Sequence, residues 1–405
     1  MNSQPIGARK IQGRRALLSE IRRAGQIARI DLAARTGISR ATVTTITAAL
    51  LHEGLIEEVA RPITATEQAR GRPRVDLKLR GAAHLVAGLK IANRAISVAL
   101  VDFEGKLVGQ YDAPLERAVN RAPDLVVQLT GILDRAMAET GRTRGDLSAV
   151  GVGISGTVDA TRGFVYWSPS LGSRNLPFGE MLARALGLPV FLDNDTNLVA
   201  LAEQSFGLGR GINDFIVVTI ESGVGMGIVL GGALYRGTRG CGAEFGHIKV
   251  HLDGALCRCG QRGCLEAYVA DYALLREAAI MGQQDTALPD EARVEKLLRA
   301  AREGQPTARS IVARAGRMFS MGLANLVNIF DPQLIILSGE RMQFDHLYAS
   351  EVIDTMRSSI VDIDKAPPEV KIHKWGDLMW AKGAAAFALG GVIEAAISTR
   401  GQHAN

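Results

Sequence analysis

The sequence predicts an α/β protein with a small basic helical module at its N-terminus, and three observations predict it. The chain of 405 residues is 47% hydrophobic and 22% charged, which is typical of a globular protein and excludes long disorder, collagen and a small disulfide scaffold. From residue 85 onward, short apolar strands alternate with helical segments, as in an α/β sheet. The first 80 residues carry all of the excess positive charge. At about 100 to 200 residues per domain, this length predicts two to four domains.

The charge is divided unevenly along the chain. Residues 1–80 contain 15 Lys or Arg and 7 Asp or Glu, a net charge of +8. The remaining 325 residues contain 32 Lys or Arg and 35 Asp or Glu, a net charge of −3. A basic module attached to a slightly acidic body favours binding of a polyanion through one end. No run approaches the ~20 consecutive apolar residues of a membrane helix, and the start lacks the apolar segment of a signal peptide. We therefore expect a cytoplasmic protein that binds no membrane.

The basic module has the pattern of a helix-turn-helix. A first helix is predicted over residues 14–23, a second over residues 29–36, and a third after the turn Gly37-Ile38-Ser39. Glycine permits the tight turn, and Ser39 can cap the third helix. Three residues of this helix recur at helical spacing and are predicted to face inward: Val43, Ile46 and Leu50. The order of helix, glycine turn and helix is that of a helix-turn-helix.

The outward face of the third helix is predicted to contact DNA. Its residues are small or able to form hydrogen bonds, as in a helix that enters the major groove: Arg40, Ala41, Thr42, Thr44, Thr45 and Ala48. We expect Arg40, Thr42 and Thr45 to contact bases or phosphates. The alternative is a three-helix packing module with solvated polar residues, and the local balance of +8 weighs against it.

A two-stranded wing is predicted to follow the third helix. Its strands are expected at residues 57–63 and 74–79, and its tip has the sequence Arg-Gly-Arg-Pro-Arg. Such a slim, extended and basic segment suits a narrow A·T-rich minor groove, so we expect Arg70, Arg72 and Arg74 to contact DNA. The alternative is a basic linker between domains. In either case phosphate attraction predicts salt-dependent binding.

The body is predicted to form two related α/β lobes. Strands are expected at residues 85–91, 95–101, 107–111 and 149–154, with a helix at 123–140. A similar order returns with strands at 215–220, 227–230, 334–338 and 370–373 and a helix at 308–329. The last helix, residues 381–398, is expected to pack on the first lobe. The predicted domains are residues 1–82, residues 83–200 together with 381–398, and residues 201–380.

A cluster of cysteines predicts a metal site. All four cysteines of the chain lie within 24 residues, and in a reducing compartment such clustering favours a metal over disulfides. His247, Cys257, Cys259 and Cys264 supply one imidazole and three thiolates, which is the ligand set of a closed, structural zinc site. Cys241 and His251 remain rival ligands, and unmetallated reduced cysteines are the alternative. Zn²⁺ would hold two carboxylates near His247, those of Glu244 and Glu266, and such groups can bind a polyhydroxylated ligand.

These residues resemble the repressor, open reading frame and kinase (ROK) family of sugar kinases and sugar-responsive repressors. Residues 244–247 are similar to the family's ExGH motif, and residues 247–266 match its zinc signature. Residues 151–159 resemble its GxGxPGxVD segment, with Ser155 in place of proline, and residues 193–197 resemble its aspartate-containing loop. The resemblance implies a two-lobed actin/hexokinase-like (ribonuclease H-like) ATPase fold after the winged helix-turn-helix. It implies that the ligand is bound by Ser155, Gly156, Asn194, Asp195, Glu244, His247 and Glu266.

The phosphate-binding segments depart from the pattern of the family's kinases. Where these kinases have DxGGT, this chain has Lys90-Ile91-Ala92-Asn93-Arg94, so that a lysine replaces the carboxylate. The second phosphate loop begins at Glu221, which would place a negative charge beside the phosphates, and the turn at residues 338–340 has lost glycines. Phosphoryl transfer needs a phosphate cradle and a metal-binding carboxylate as well as a base. We therefore predict no catalytic residue, although Asp195 stands where the kinases have their catalytic base.

The predicted function is a sugar-responsive transcriptional regulator, most simply a repressor. Its expected partners are operator DNA, a sugar or sugar-derivative effector and a second copy of the chain in a homodimer or higher oligomer. One alternative is an active sugar kinase fused to a DNA-binding module. Another is an acidic body that docks a protein partner instead of a sugar. The sequence does not identify the effector, and an altered segment at residues 168–171 favours a sugar with a different hydroxyl pattern or a substituent.

Overall fold

A computed structural model describes residues 6–60, 75–92, 95–220, 223–282, 288–339, 350–374, 376 and 378–398. These residues form two compact units, one from 1–195 with 380–405 and the other from 196–379. The helices are α1 (Ile6–Ala24), α2 (Arg29–Thr36), α3 (Arg40–His52), α4 (Ala122–Glu139), α5 (Phe178–Leu186), α6 (Asp195–Phe206), α7 (Glu266–Val269), α8 (Asp271–Ile280), α9 (Asp290–Arg302), α10 (Pro306–Phe330), α11 (Ser350–Arg357) and α12 (Leu378–Ser398). The strands are β1 (Ile27–Ala28), β2 (Ile56–Ala60), β3 (Val75–Leu79), β4 (Leu85–Ile91), β5 (Ala95–Asp102), β6 (Leu107–Pro114), β7 (Ala149–Ile154), β8 (Thr157–Asp159), β9 (Phe164–Trp167), β10 (Val190–Asn194), β11 (Phe215–Ile220), β12 (Val224–Leu230), β13 (Ala233–Tyr235), β14 (Leu334–Ser338) and β15 (Glu369–Ile372).

The N-terminal module is a winged helix-turn-helix, as the sequence predicts. Helices α1, α2 and α3 pack beside a three-stranded sheet of order β1-β3-β2. Gly37 has φ +68° between α2 and α3, and the Ser39 side chain caps α3 by accepting from the Thr42 backbone N–H at 3.2 Å. The wing strands are described at β2 and β3, and the rest of the predicted ranges, residues 61–63 and 74, lies outside the described residues.

The N-terminal module contacts the first lobe within the same unit. Lys78 of β3 pairs with Glu104, which lies in the turn between β5 and β6, at 3.2 Å. The Phe103 backbone N–H donates to the Gly81 carbonyl at 3.1 Å. Arg15 of α1 forms an exposed ion pair with Glu394 of α12. Three separate contacts therefore link the module to the sheet hairpin and to the C-terminal helix.

The first lobe contains a five-stranded sheet of order β10-β7-β4-β5-β6, and α12 lies directly on it. A Cβ atom at Gly88 would lie 1.9 Å from the Ala381 carbonyl oxygen, and one at Gly151 would lie 1.9 Å from the Ala384 carbonyl oxygen. Glycine is therefore required at both positions because the backbone of α12 occupies the space of a side chain. The sequence prediction that the last helix packs on the first lobe agrees with this contact.

The second unit contains a five-stranded sheet of order β13-β12-β11-β14-β15. Helix α10 packs with α8, α9 and α11 in this unit, and Phe319, Leu323 and Ala324 of α10 belong to its core. Along the chain, both sheets follow the same plan. A central strand, β4 or β11, pairs antiparallel with one neighbour and parallel with the other. The antiparallel neighbour pairs antiparallel with one edge strand, and the parallel neighbour pairs parallel with the other edge strand. The two lobes are therefore related, as predicted, while the predicted domain boundaries stay a prediction.

Among the described residues, one helical segment has the length and composition of a membrane span. It covers Leu378–Ile397 of α12, and 61% of its most apolar window is buried inside the protein. Its apolar residues include Ala384, Ala385 and Leu389, which are fully buried. The apolar character of α12 is explained by its position on the sheet of the first lobe.

Candidate functional site

The outward face of α3 is exposed along its whole length. The six residues that the sequence predicts are all exposed: Arg40, Ala41, Thr42, Thr44, Thr45 and Ala48. His52 in the last turn is exposed with them. On the opposite face, Val43, Ile46 and Leu50 are buried, and Thr47 is buried beside them. A buried Arg14 of α1 pairs with Glu53 at the end of α3 through two hydrogen bonds of 2.9 and 2.5 Å. Apolar packing and this ion pair hold α3 with its polar face outward. The wing-tip residues Arg70, Arg72 and Arg74 lie outside the described residues.

The predicted metal ligands lie together in the second unit. They form a four-residue group of His247, Cys257, Cys259 and Cys264. Each residue offers one ligand atom, and these four atoms all lie within 4.8 Å of one another. The Cys259 and Cys264 sulfurs are 3.7 Å apart, and the Cys257 sulfur is 3.7 Å from His247 Nδ1. Tetrahedral zinc with Zn–S bonds of about 2.3 Å separates two sulfurs by about 3.8 Å and a sulfur and a nitrogen by about 3.6 Å. The donor set and its spacing therefore fit a zinc ion.

The backbone of the cysteine loop explains why its glycines are needed. Gly260 and Gly263 have φ of +87° and +75°. A Cβ atom at Gly263 would lie 1.9 Å from the His251 carbonyl oxygen. The loop can fold around a metal only with glycine at position 263, since a side chain there would collide with backbone.

The two rival ligands lie outside this group. Cys241 Sγ is 3.4 Å from the Arg239 carbonyl oxygen, and His251 Nδ1 is 2.9 Å from the Leu252 carbonyl oxygen. The His251 ring also lies 6.3 Å from the Tyr268 ring, between centroids. Both side chains are thus occupied by other contacts in this structure.

Glu244 and Glu266 lie near His247, as the sequence predicts. Glu266 Oε2 accepts from the Val224 backbone N–H at 3.3 Å, and Glu266 Oε1 is 3.8 Å from the Cys257 sulfur. Glu244 is solvent-exposed as a residue, yet the protein atoms around its carboxyl group raise its pKa by desolvation. His247 lowers the pKa of Glu244, and the negative charge of Glu266 raises it further. Two carboxylates and one imidazole therefore share a small region and can accept and donate hydrogen bonds to hydroxyl groups.

The other predicted ligand-binding residues lie together in the first unit. The Asn194 amide donates to the Gly156 carbonyl at 2.9 Å, and the Ser155 hydroxyl donates to the Asp195 carboxylate at 2.5 Å. Gly156 has φ +121°, and a Cβ atom there would lie 2.2 Å from the Trp167 carbonyl oxygen. These four residues lie at the carboxyl ends of the parallel strands β7 and β10, where ligands bind in α/β sheets.

A buried lysine lies near the carboxyl end of the central strand of the same sheet. Lys90 stands near the end of β4, beside Gly153 of β7, and it is 3% exposed. Its ammonium group lies 3.8 Å from the centroid of the Trp380 ring, and Trp380 is itself buried. The position that matches the kinase carboxylate therefore holds a cation stacked on an indole ring, a favourable contact in a desolvated place.

The remaining glycines of the second phosphate loop have a packing role. A Cβ atom at Gly225 would lie 2.1 Å from the Thr196 hydroxyl oxygen, and one at Gly227 would lie 2.7 Å from the Ala200 Cβ atom. Both contacts are with α6, so these glycines would be needed without any nucleotide. Asn93, Arg94, Glu221 and Glu340, which belong to the segments that depart from the kinase pattern, lie outside the described residues.

Sequence reasoning missed three residues around these sites. The Lys249 ammonium lies 3.0 Å from the Cys264 sulfur, and the Tyr272 hydroxyl lies 3.5 Å from the Cys257 sulfur and 3.4 Å from Glu266. Trp380 covers Lys90. Lys249 lies two residues after His247 and could have been considered from that position, whereas nothing in the local sequence marks Tyr272 or Trp380.

A winged helix-turn-helix joined to two related α/β lobes of actin/hexokinase-like fold defines the class of protein. The ROK family model matches residues 86–390, and a model described as winged helix-turn-helix DNA-binding matches residues 14–57. The chain therefore belongs to the ROK family, and it has a DNA-binding domain at its N-terminus. Both the fold class and the family predicted from the sequence are confirmed.

Known relatives include both regulators and kinases. The chain is 34% identical to the glucokinase of Streptomyces lividans over 269 residues, which are 63% of this chain and 81% of that protein. It is 28% identical to the N-acetylglucosamine repressor of Shigella flexneri over 324 residues, which are 79% of this chain and 78% of that protein. A crystal structure of a ROK family transcriptional regulator, a homolog of the E. coli MLC protein, superposes with a TM-score of 0.78 at 25% identity and covers 98% of this chain and 100% of that chain.

Proposed function

We propose that this protein is a sugar-responsive transcriptional repressor whose kinase-like body serves as an effector sensor. The observation that carries the proposal is the winged helix-turn-helix with the outward face of α3 exposed, joined to a ROK body. The likeness to a ROK transcriptional regulator over nearly the whole chain supports it. Such a protein acts in the cytoplasm, where it meets both DNA and metabolites.

Operator recognition is proposed for the N-terminal module. Arg40, Thr42 and Thr45 would contact base edges or phosphates in the major groove. Arg70, Arg72 and Arg74 are proposed from the sequence alone to enter the minor groove. The protein would bind as a homodimer or higher oligomer, so that a two-fold operator presents half-sites in steps of about 10 base pairs.

Effector binding is proposed for the residues that resemble those of the family's sugar site. In the family's kinases a sugar is held by the residues that match Asn194, Asp195, Glu244, His247 and Glu266, and Ser155 and Gly156 are proposed to bind the ligand with them. Asp195 would accept a hydrogen bond from a ligand hydroxyl without abstracting its proton. The carboxylates of Glu244 and Glu266 would accept others, since a sugar presents several donors at once.

A structural zinc ion is proposed for the four-residue group of His247, Cys257, Cys259 and Cys264. When bound, Zn²⁺ supplies a closed tetrahedral cross-link and no open position for catalysis. His247 faces the cysteines through Nδ1, which leaves Nε2 as the ring nitrogen available to a ligand hydroxyl. The group would thereby orient His247 and the nearby Glu266 for effector binding.

The contacts of the N-terminal module support a route from effector to DNA. Lys78, Gly81 and Arg15 connect the module to the hairpin of the first lobe and to α12. Effector binding that shifts this lobe would move the module with it, and in a dimer it would change the spacing of two DNA-binding surfaces. Whether the effector releases or promotes DNA binding depends on which spacing matches the operator.

A titration with DNA tests the regulatory proposal. Duplexes selected by the full-length protein from a random-sequence pool should bind, and their affinity should fall by about 100-fold between about 50 and 200 mM salt, the loss expected for about four neutralised phosphates. Arg40→Ala should weaken this binding, whereas Arg317→Ala, on an exposed face of α10 in the other unit, should leave it unchanged. Undetectable or salt-insensitive binding would contradict the proposal.

Loss of one carboxylate tests the effector site. A thermal-shift screen with sugars, amino sugars and sugar phosphates should identify a compound that stabilises the wild-type protein. Glu244→Ala should weaken binding of that compound by at least about tenfold, because a hydrogen bond to a charged group is lost. Glu303→Ala, an exposed carboxylate at the end of α9, is the matched control. If Glu244→Ala binds the compound as tightly as wild type, this carboxylate does not bind the effector.

An active sugar kinase is the second candidate, and one observation favours it. Asp195 is retained where family kinases have their base, and a glucokinase is among the relatives. Against it, the buried Lys90 replaces a metal-binding carboxylate. Sugar-dependent formation of ADP from ATP, measured across the same panel, would establish the kinase. The sensor proposal requires that none is formed.

A further inference from the structure

The hydroxyl groups on the outward face of α3 are turned back toward their own helix. The Thr44 hydroxyl donates to the Arg40 carbonyl at 2.9 Å, and the Thr45 hydroxyl donates to the Ala41 carbonyl at 3.1 Å. Each hydroxyl proton is thus already used inside the helix. Both side chains are exposed and keep a methyl group and the oxygen lone pairs for any partner outside.

The rest of this face offers little to a hydrogen-bond acceptor. Ala41 and Ala48 are exposed and add two more methyl groups, at positions one turn before and one turn after the threonines. The Thr42 hydroxyl is 2.8 Å from the Ser39 hydroxyl, beside the helix cap. The long polar side chains among the exposed residues stand at the two ends of α3, Arg40 in the first turn and His52 in the last. The centre of the face therefore presents methyl groups, and its polar atoms there are hydroxyl oxygens that can accept a hydrogen bond.

Base pairs differ in how well they match such a face. In the major groove, A·T and G·C pairs each present one amino donor and two acceptors, and an A·T pair presents in addition the C5-methyl group of thymine. The threonine lone pairs can accept equally from the amino group of adenine or of cytosine, so they do not distinguish the two kinds of base pair. Methyl groups pack favourably against methyl groups, and the thymine methyl group is therefore the feature that this face can select.

We propose that α3 selects A·T base pairs, with the methyl groups of Thr44 and Thr45 packed against thymine methyl groups in the major groove. Ala41 and Ala48 extend the same contact, and Arg40 specifies a guanine or a phosphate at one end. This inference rests on the proposed operator binding and on the match of this segment to a DNA-binding domain. It assigns to two threonines a specificity that their hydroxyl groups do not provide.

Removal of single thymine methyl groups tests the inference. In a duplex selected by the full-length protein, each thymine is replaced in turn by deoxyuridine, which lacks the methyl group and keeps base pairing. At the contacted thymines the affinity should fall by about fourfold per methyl group, which is the value of one buried methylene. Duplexes that bind with no uracil effect at any position would overturn the inference and leave the proposed function intact. Absence of binding to any duplex would overturn both.

A matched pair of substitutions assigns the effect to the side chain. Thr45→Ser keeps the hydroxyl group and removes the methyl group, so the preference for thymine over uracil should disappear at one base. Thr45→Val keeps a branched side chain with methyl groups and removes the hydroxyl group, so the preference should remain. Thr45 is exposed and both variants should fold, which circular dichroism checks. If Thr45→Val loses the preference and Thr45→Ser retains it, the hydroxyl group reads the base and the inference is wrong.

Discussion

Replacing Cys259 with serine should abolish the binding of zinc and the response to effector while DNA binding persists. Cys259 lies 3.7 Å from Cys264 within the four-residue group, and its side chain is exposed, so the substitution removes a ligand without opening a cavity in the core. Loss of an outer-shell partner already weakens metal affinity by about 10 to 100-fold, and loss of a direct ligand should cost at least as much. Metal analysis of the purified protein and thermal denaturation measure the result.

The chain contains its own control for this experiment. Cys241 is the fourth cysteine, and its sulfur contacts the Arg239 carbonyl outside the group. Cys241→Ser should therefore retain one zinc per chain and the thermal stability of the wild type. DNA binding should survive in both variants because the helix-turn-helix belongs to the other unit. Full zinc in Cys259→Ser, or loss of zinc in Cys241→Ser, would show that the ligands are assigned wrongly.

The metal group could be predicted because its ligands lie close together in the sequence. His247 and Cys264 are separated by one loop, and thiol and imidazole groups at this spacing have few other uses in a reducing compartment. Residues around the group were harder to foresee. Tyr272 reaches Cys257 and Glu266 from α8, and no periodicity of the sequence indicates which face of that helix is turned toward the loop.

Elements of the fold could be predicted where the hydrophobic pattern was unambiguous. Strands β4, β7, β11 and β14 have the predicted bounds, since each is an apolar run between turn residues. Where the end of a helix or strand depends on tertiary contacts, the observed end differs from the predicted one by a few residues. Helix α12 begins at Leu378 rather than at residue 381, and its first turn places Trp380 over Lys90. The two residues come from opposite ends of the body, so their contact leaves no local pattern in the sequence.

The glycines of the first sheet show a related limit of sequence reasoning. Gly151 could be read as part of a ligand-binding segment, because it opens the stretch that resembles a family motif. In the structure it is needed for a different reason, since the Ala384 backbone of α12 fills the place of its side chain. A motif glycine can thus be required by packing between a helix and a sheet that the sequence does not place side by side.

Gly151→Ala should strongly destabilise the first unit. The new Cβ atom would lie 1.9 Å from the Ala384 carbonyl oxygen and 2.5 Å from its carbonyl carbon, and both are backbone atoms that cannot rotate away. Overpacking of a core costs about 1 to 3 kcal/mol when side chains can adjust, so we expect at least about 3 kcal/mol here. Urea denaturation followed by circular dichroism should show a lower midpoint.

The same exchange in α4 provides the control that separates overpacking from a general effect of removing glycine. Gly131 lies inside this helix with no atom within 4 Å of an added Cβ, so Gly131→Ala should stabilise the protein by about 0.5 to 1 kcal/mol through helix propensity.

Gly151→Ala should also weaken DNA binding. Arg15 of the N-terminal module is paired with Glu394 at the far part of α12, so a displacement of α12 would disturb the module. A variant with unchanged stability would mean that α12 does not lie on the sheet at this distance, and the proposed route from effector to DNA through this helix would lose its basis.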